Sequence, residues 1–242
     1  MAPPGYSQSP PGVARVEAVL LLEQVPRTSD RLLSFDSLYG WAYDAALNLG
    51  PITKAAFFLE WGADVERVFG EMRSTLACAP GEVLLDCPAG SGIAFASAGR
   101  RVRGTVLAVD LSLPMLERAR RRRNRHIHLV QGDATRLPLA GASVDRVACF
   151  MSLHCIPDKR AVLREFARVL KPGGTLAGCT LVSDATLPWR LTVEAVRRVP
   201  NFFVPEPSVV IAAEALAAGL TWQQERTGAM LYFSGKKSGE VR

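Results

Sequence analysis

The chain has few residues that bind metals or form redox pairs. Three histidines occur, His126, His128 and His154, and five cysteines, Cys78, Cys87, Cys149, Cys155 and Cys179. No cysteine pair shows C-x-x-C spacing, the count is odd, and most lie in apolar runs. Free thiols acting as small hydrophobes are expected, with no disulfide scaffold, zinc cage or other metal site. The N-terminus lacks a basic segment followed by a long apolar one, so no signal peptide is expected. Apolar stretches fall short of a membrane span. No G-x-x-x-x-G-K-[ST] sequence is present, which excludes a P-loop. These absences predict a cytoplasmic protein without a transmembrane segment, transient contact with a membrane surface remaining open.

What is present suits one globular domain with decorations. The chain has 242 residues and 48% hydrophobic content, enough to bury a sizeable core. The formal net charge is +6, and much of the excess lies in Arg120–Arg123, with Arg118 and Arg125 beside it. Such a run fits a solvated helix C-terminus, where cations meet the negative pole. A docking patch for an acidic partner is the alternative.

Residues 1–12 are rich in Pro, Gly and Ser and read as a disordered tail. Residues 13–80 read as an N-terminal helical lid, with Gly50-Pro51 breaking a helical pattern that runs from Leu33 to Leu76. From Gly81 strands and helices alternate. Strands are expected at 83–86, 105–110, 127–130, 143–150 and 175–182. Helices are expected at 92–101, after Ser112 as N-cap through Arg122, and at 157–170. An irregular insertion, 183–208, interrupts the pattern. A helix around 209–218 and two strands joined by a short turn complete it, the strands necessarily antiparallel. This alternation predicts an α/β fold with a doubly wound, mostly parallel seven-stranded sheet and a C-terminal antiparallel hairpin.

Ligands of such sheets bind at the carboxyl ends of the strands, and there the chain places its acids and glycines. The loop Asp86-Cys87-Pro88-Ala89-Gly90-Ser91-Gly92 follows the first strand, and its glycines let backbone approach a ligand. Asp110 ends the second strand, where a carboxylate can accept hydrogen bonds from ribose hydroxyls. Asp133 ends the third, placed to accept from an adenine amino group. Together these define an adenosine-shaped slot. The dinucleotide fingerprint wants Gly or Ala where Phe95 stands, so a ligand without phosphates fits better.

The pieces VLLDCPAGSG, VLAVDLSLPMLERAR, LVQGDATRLPL, ASVDRVACFMSLHCIPD and LREFARVLKPGGTL occur in one order over 82–182. This stretch resembles the core of class I S-adenosylmethionine-dependent methyltransferases. Upstream, FDSLYGWAYDAALN is similar to the entry segment of quinone-biosynthesis C-methyltransferases. The resemblance implies a Rossmann-like methyltransferase core over 81–242 and S-adenosyl-L-methionine as cofactor. It implies that Asp86, Pro88, Ala89, Gly90, Ser91 and Gly92 hold the methionine part and Asp110 the ribose. Leu111 and Met115 would flank the adenine, Asp133 and Ala134 would read its edge, and Phe150 and Met151 would line the floor near the sulfonium. The usual motif is acid-x-Gly-x-Gly-x-Gly, and Pro88 replaces its first glycine. Proline fits only where no N–H is needed.

An acceptor hydroxyl or carbon acid would need a base, for which His154 is the first candidate and Tyr43 the second; both also suit purely structural roles. Tyr39, Trp41, Trp189, Phe202 and Phe203 would line a pocket for a small apolar acceptor such as a quinone, lipid or polyketide. The protein would act as a monomer or homodimer. Two other readings compete. A nucleic-acid methyltransferase is disfavoured because Phe150-Met151-Ser152-Leu153 stands where an Asn/Asp-Pro-Pro-aromatic motif belongs, and no aromatic-interleaved basic surface is seen. A non-methylating cofactor-binding module stays open.

Overall fold

In a computed structural model, the structure describes residues 51–198 and 204–239. The described part opens with helices α1 (Pro51–Trp61) and α2 (Val65–Thr75). The helical pattern expected to run unbroken here is interrupted once more, at Gly62, whose φ is +67°. Asp64 then caps α2, its carboxylate accepting from the Glu66 N–H at 2.9 Å. The α/β part follows as β1 (Val83–Asp86), α3 (Ile93–Ala98), β2 (Thr105–Asp110), α4 (Leu113–Arg120), β3 (Ile127–Gln131), β4 (Val144–Phe150), α5 (Lys159–Val169) and β5 (Leu170–Leu181). The last elements are α6 (Trp189–Arg197), α7 (Ser208–Ala217), β6 (Leu220–Thr227) and β7 (Met230–Lys237).

The strands among the described residues lie in one sheet of order β3-β2-β1-β4-β5-β7-β6. Strands β1 to β5 are parallel, and β7 enters antiparallel between β5 and β6. The order reverses between β1 and β4, so the crevice at that switch point opens beyond Asp86 and Phe150. Ser112 caps α4 as expected, accepting from the Met115 N–H at 3.3 Å. Strand β5 is longer than its sequence pattern, because the Lys171–Gly174 turn extends the ladder back to Leu170.

Helices cover both faces. One apolar cluster joins α1, α2 and α3 to the sheet through Phe57, Trp61, Val68, Met72, Phe95, Phe150 and Tyr232. The other joins α5 and α7 through Val162, Leu163, Phe166, Ile211 and Ala215. Helix α2 is thus part of the core sandwich: Val65, Val68 and Met72 are buried, and Arg67 reaches the sheet edge, with its guanidinium 3.9 Å from the Tyr232 ring centroid and paired with Glu225 at 2.7 Å. The insertion is more regular than its prolines predict. Helix α6 occupies the stretch between Pro188 and Pro200, where no proline intervenes.

Candidate functional site

The site assembles where β1, β2, β3 and β4 end. Asp86 closes β1 and is 1% exposed. Its Oδ2 has no hydrogen-bond partner among the described residues. Burial, with the Asp110 charge nearby, pushes its carboxyl up to about 8. A buried acceptor atom without a donor is costly unless a ligand supplies one. The group most suited to that place is cationic, because a cation restores the carboxylate.

The loop after Asp86 is held by its backbone. The Cys87 N–H donates to the Ala148 carbonyl at 3.0 Å and the Ala89 N–H to the Val109 carbonyl at 2.9 Å. These two bonds flank Pro88 and fasten the loop to β4 and β2, so a residue without an N–H fits between them. Gly90 and Gly92 have φ of +53° and +83°. A Cβ at Gly90 would meet nothing within 4 Å, so its backbone faces open space. A Cβ at Gly92 would run into the Phe95 ring, which is buried beneath the loop. Phe95 therefore fills the place a dinucleotide fold keeps for a small residue, and Gly92 is the price of packing it there. From the end of α4, the Arg122 guanidinium donates to the Ser91 carbonyl at 2.8 Å. This member of the basic run, read from sequence as a solvated helix end, is half-buried and braces the loop.

Asp110 joins this loop to the next. Its Oδ2 accepts from the Gly90 N–H at 2.7 Å and its Oδ1 from the Ser112 N–H at 2.9 Å. A carboxylate oxygen can accept two hydrogen bonds, so these contacts are compatible with ribose hydroxyls at the same oxygens. Leu111 is half-buried and Met115 buried behind it. Asp133 makes an Asx turn, its Oδ1 accepting from the Thr135 N–H and hydroxyl at 2.7 Å each, with Ala134 buried at the turn. Phe150 is buried at the end of β4, and Met151 beyond it adopts φ +52° while its N–H donates to the Cys179 carbonyl at 2.8 Å. A non-glycine residue in that region stores strain, a feature that gathers at binding sites.

His154 is buried in a short turn after β4. The Leu181 N–H donates to its Nδ1 at 3.3 Å, and the Thr180 hydroxyl lies 3.1 Å from the same atom. A backbone N–H cannot accept, so the neutral ring carries its proton on Nε2. Burial, together with the nearby Lys159 charge, lowers its pKa to about 3. Lys159 itself is 2% exposed, and its ammonium donates to the carbonyls of Ile156 at 2.9 Å and Val204 at 2.7 Å. Nothing in the sequence pattern singled out Lys159 or Thr180, since Val204 lies 45 residues from Lys159 and His154 lies 26 from Thr180. Burial pushes the thiols of Cys149, Cys155 and Cys179 up to about 12, so they are neutral. Among the described residues, no group of His, Cys, Asp and Glu could hold a metal ion. No helix among them is long and apolar enough to cross a membrane.

Trp189 opens α6 and lies against α1. Its indole N–H donates to the Phe58 carbonyl at 3.2 Å, its ring stands edge-on to Phe58, and it covers Gly62. Tyr39, Trp41, Tyr43, Phe202 and Phe203 lie outside the described residues.

The methionine slot passes the test of fit for S-adenosylmethionine. The orphaned Asp86 Oδ2 can take an ammonium, Gly90 offers bare backbone, and Asp110 and Asp133 lie farther along the strand ends. Comparison with known proteins agrees. The family described as "Methyltransferase domain" matches residues 85–178. A demethylmenaquinone methyltransferase of Mycobacterium marinum is 35% identical over 167 residues, covering 64% of this chain and 71% of that protein. A malonyl-[acyl-carrier protein] O-methyltransferase of Xylella fastidiosa is 34% identical over 137 residues, covering 55% of this chain and 46% of that protein. A solved geranyl diphosphate methyltransferase in complex with S-adenosylmethionine superposes with a TM-score of 0.60 at 16% identity, covering 81% of this chain and 94% of that one. With its fold, its ordered motifs and a relative matched over most of its length, the chain belongs to the class I S-adenosylmethionine-dependent methyltransferases.

Proposed function

We propose that this protein transfers the methyl group of S-adenosylmethionine to a small, largely apolar acceptor of the quinone or lipid type. The observation that carries the reading is the Asp86 carboxyl, buried with an unpartnered Oδ2 beside a glycine loop that leaves its backbone open. When bound, the cofactor supplies an activated methyl group on a sulfonium. The chain's residues then have three tasks. Asp86 pairs with the methionine ammonium, and Gly90–Gly92 lie against the methionine backbone. Asp110 accepts from the ribose hydroxyls and keeps the Gly90 and Ser112 loops in register. Asp133 and Ala134 read the adenine edge, with Leu111 and Met115 beside it. Phe150 and Met151 close the floor and exclude water, because displacement at a sulfonium chiefly demands alignment.

His154 fits a neutral orienting role better than that of a base. Its Nδ1 is engaged by the β5 backbone and its low pKa makes it a weak proton acceptor. We assign the acceptor side to α1 and to the insertion with Trp189, which packs against Phe58; Tyr39, Trp41, Tyr43, Phe202 and Phe203 stay expectations from the sequence. The demethylmenaquinone and acyl-carrier-protein relatives support an apolar acceptor.

Two measurements test the reading. S-adenosylmethionine and S-adenosylhomocysteine should each raise the melting temperature, while NAD and ATP should not. Transfer of labelled methyl should then be found with quinols or acyl chains and be missing with polar metabolites and RNA. Stabilisation by NAD alone would remove the cofactor assignment. Methylation of RNA would remove the acceptor class.

A further inference from the structure

Helix α1 is apolar on two opposite sides. Phe57 and Trp61 form one side and are buried in the core. Ile52, Ala55, Ala56 and Leu59 stand at i, i+3, i+4 and i+7, one helical face, and all four are exposed. Ile52 is 70% and Leu59 74% exposed. The neighbouring α6 repeats the arrangement. Val193 is buried inward, while Leu191 faces out at 65% exposure, with Leu187 just before the helix at 63%. The two helices are joined by the Trp189–Phe58 contact, so their outer sides belong to one surface. A concentration of exposed large apolar residues on two adjoining elements marks an interaction surface.

The charges beside it narrow the partner. Arg190 and Arg197 are exposed on α6 and Arg198 at its C-cap, while Glu194 is the single acid of the helix and pairs with Arg197 at 3.1 Å. Apolar side chains bordered by arginines, on a helix lying flat against the fold, match the anionic interface of a lipid bilayer. We propose that the outer sides of α1 and α6 seat the protein on an anionic membrane surface. The choice of a bilayer rests partly on the apolar acceptor proposed above, because such a molecule partitions into lipid and these helices border the side assigned to it.

The test is flotation of the full chain with vesicles, compared between pure phosphatidylcholine and phosphatidylcholine carrying roughly 30% phosphatidylglycerol. The wild type should float with the anionic vesicles and lose most of that binding at high salt. The double variant Ile52→Glu/Leu59→Glu should bind about tenfold more weakly, and Arg190→Glu/Arg198→Glu should lose the preference for anionic lipid. Thermal stabilisation by S-adenosylmethionine should be the same in all three proteins, which shows that the variants are folded. Wild-type protein that floats with neither vesicle overturns the proposal, as does Ile52→Glu/Leu59→Glu floating as well as wild type. A wild-type dimer that the same variant converts to a monomer, without vesicle binding, reassigns the face to a second copy of the chain. Loss of the cofactor response in wild type would sink the methyltransferase reading and leave the flotation result standing, so the two failures are distinguishable.

Discussion

At the scale of single residues, Asp86 and Gly92 carry the sharpest consequences. Asp86 is raised to about 8 in the folded chain, above its value of 3.8 as a free side chain. A group raised in this way favours the fold fully below about pH 4, and that contribution is lost as the pH climbs through 8. Asp86→Asn should therefore melt higher than wild type at pH 8 and about equally at pH 4, by thermal denaturation without cofactor. The same substitution should weaken S-adenosylmethionine binding by calorimetry, with a loss of about 1.5–3 kcal/mol for one charge-assisted hydrogen bond. Wild-type binding should also release a proton below pH 8 and strengthen as the pH rises towards it. Equal affinity in wild type and variant would show that Asp86 does not meet the ammonium. Gly92→Ala forces a side chain at φ +83° into the Phe95 ring, and should destabilise the fold by roughly 1–3 kcal/mol in urea titration. Shrinking the ring, as in Gly92→Ala/Phe95→Leu, should return part of that loss.

At the scale of elements, what was legible and what was not follow from the range of the forces involved. The strands, the Ser112 cap and the acids at strand ends depend on local pattern, and the sequence displays them. The break at Gly62 was hidden because a lone glycine inside a helical pattern is often tolerated. Helix α6 was hidden because four prolines made its region read as irregular, although none falls between Trp189 and Arg197. The fastening of the insertion was invisible for a different reason. Asp184 accepts from the Ser208 N–H at 2.9 Å and its hydroxyl at 2.6 Å, and pairs with Arg226 at 2.9 Å. The Ser183 N–H donates to the Glu206 carbonyl at 3.0 Å, and Lys159 holds Val204. These partners are brought together only by the completed sheet. Lys159→Met would leave two carbonyls, Ile156 and Val204, without their buried donor. A loss of about 1–3 kcal/mol in stability is expected, partly offset because a desolvated cation is removed as well. The methionine side chain preserves the bulk, so unchanged stability would mean that the ammonium contributes no net staple.

At the scale of the whole molecule, the sheet fixes the cofactor slot, while of the two helices beyond it α1 buries Phe57 and Trp61 and α6 buries Val193. The base of the insertion is closed by Asp184, Ser208 and Arg226, so its ends are fastened to the core. What is left to respond is the body of α6, attached to α1 through Trp189 and Phe58. Motion there would have the helices move together over the acceptor side, with the core unchanged. Hydrogen exchange should thus show two behaviours within the insertion. Amides of Ser183 and Ser208, bonded to Glu206 and Asp184, should be protected in the protein alone. Amides of α6 should exchange quickly until cofactor and acceptor are both present, because local opening costs least where few apolar contacts are buried. Trp189→Ala should speed α6 exchange in every state and weaken acceptor binding, while cofactor affinity stays within about twofold, since no change is made in the slot. Protection of α6 in the free protein equal to that at Ser208 would make α6 a fixed wall. Loss of cofactor binding in Trp189→Ala would place α6 over the adenosine slot, and the acceptor side would then have to be sought elsewhere on the sheet.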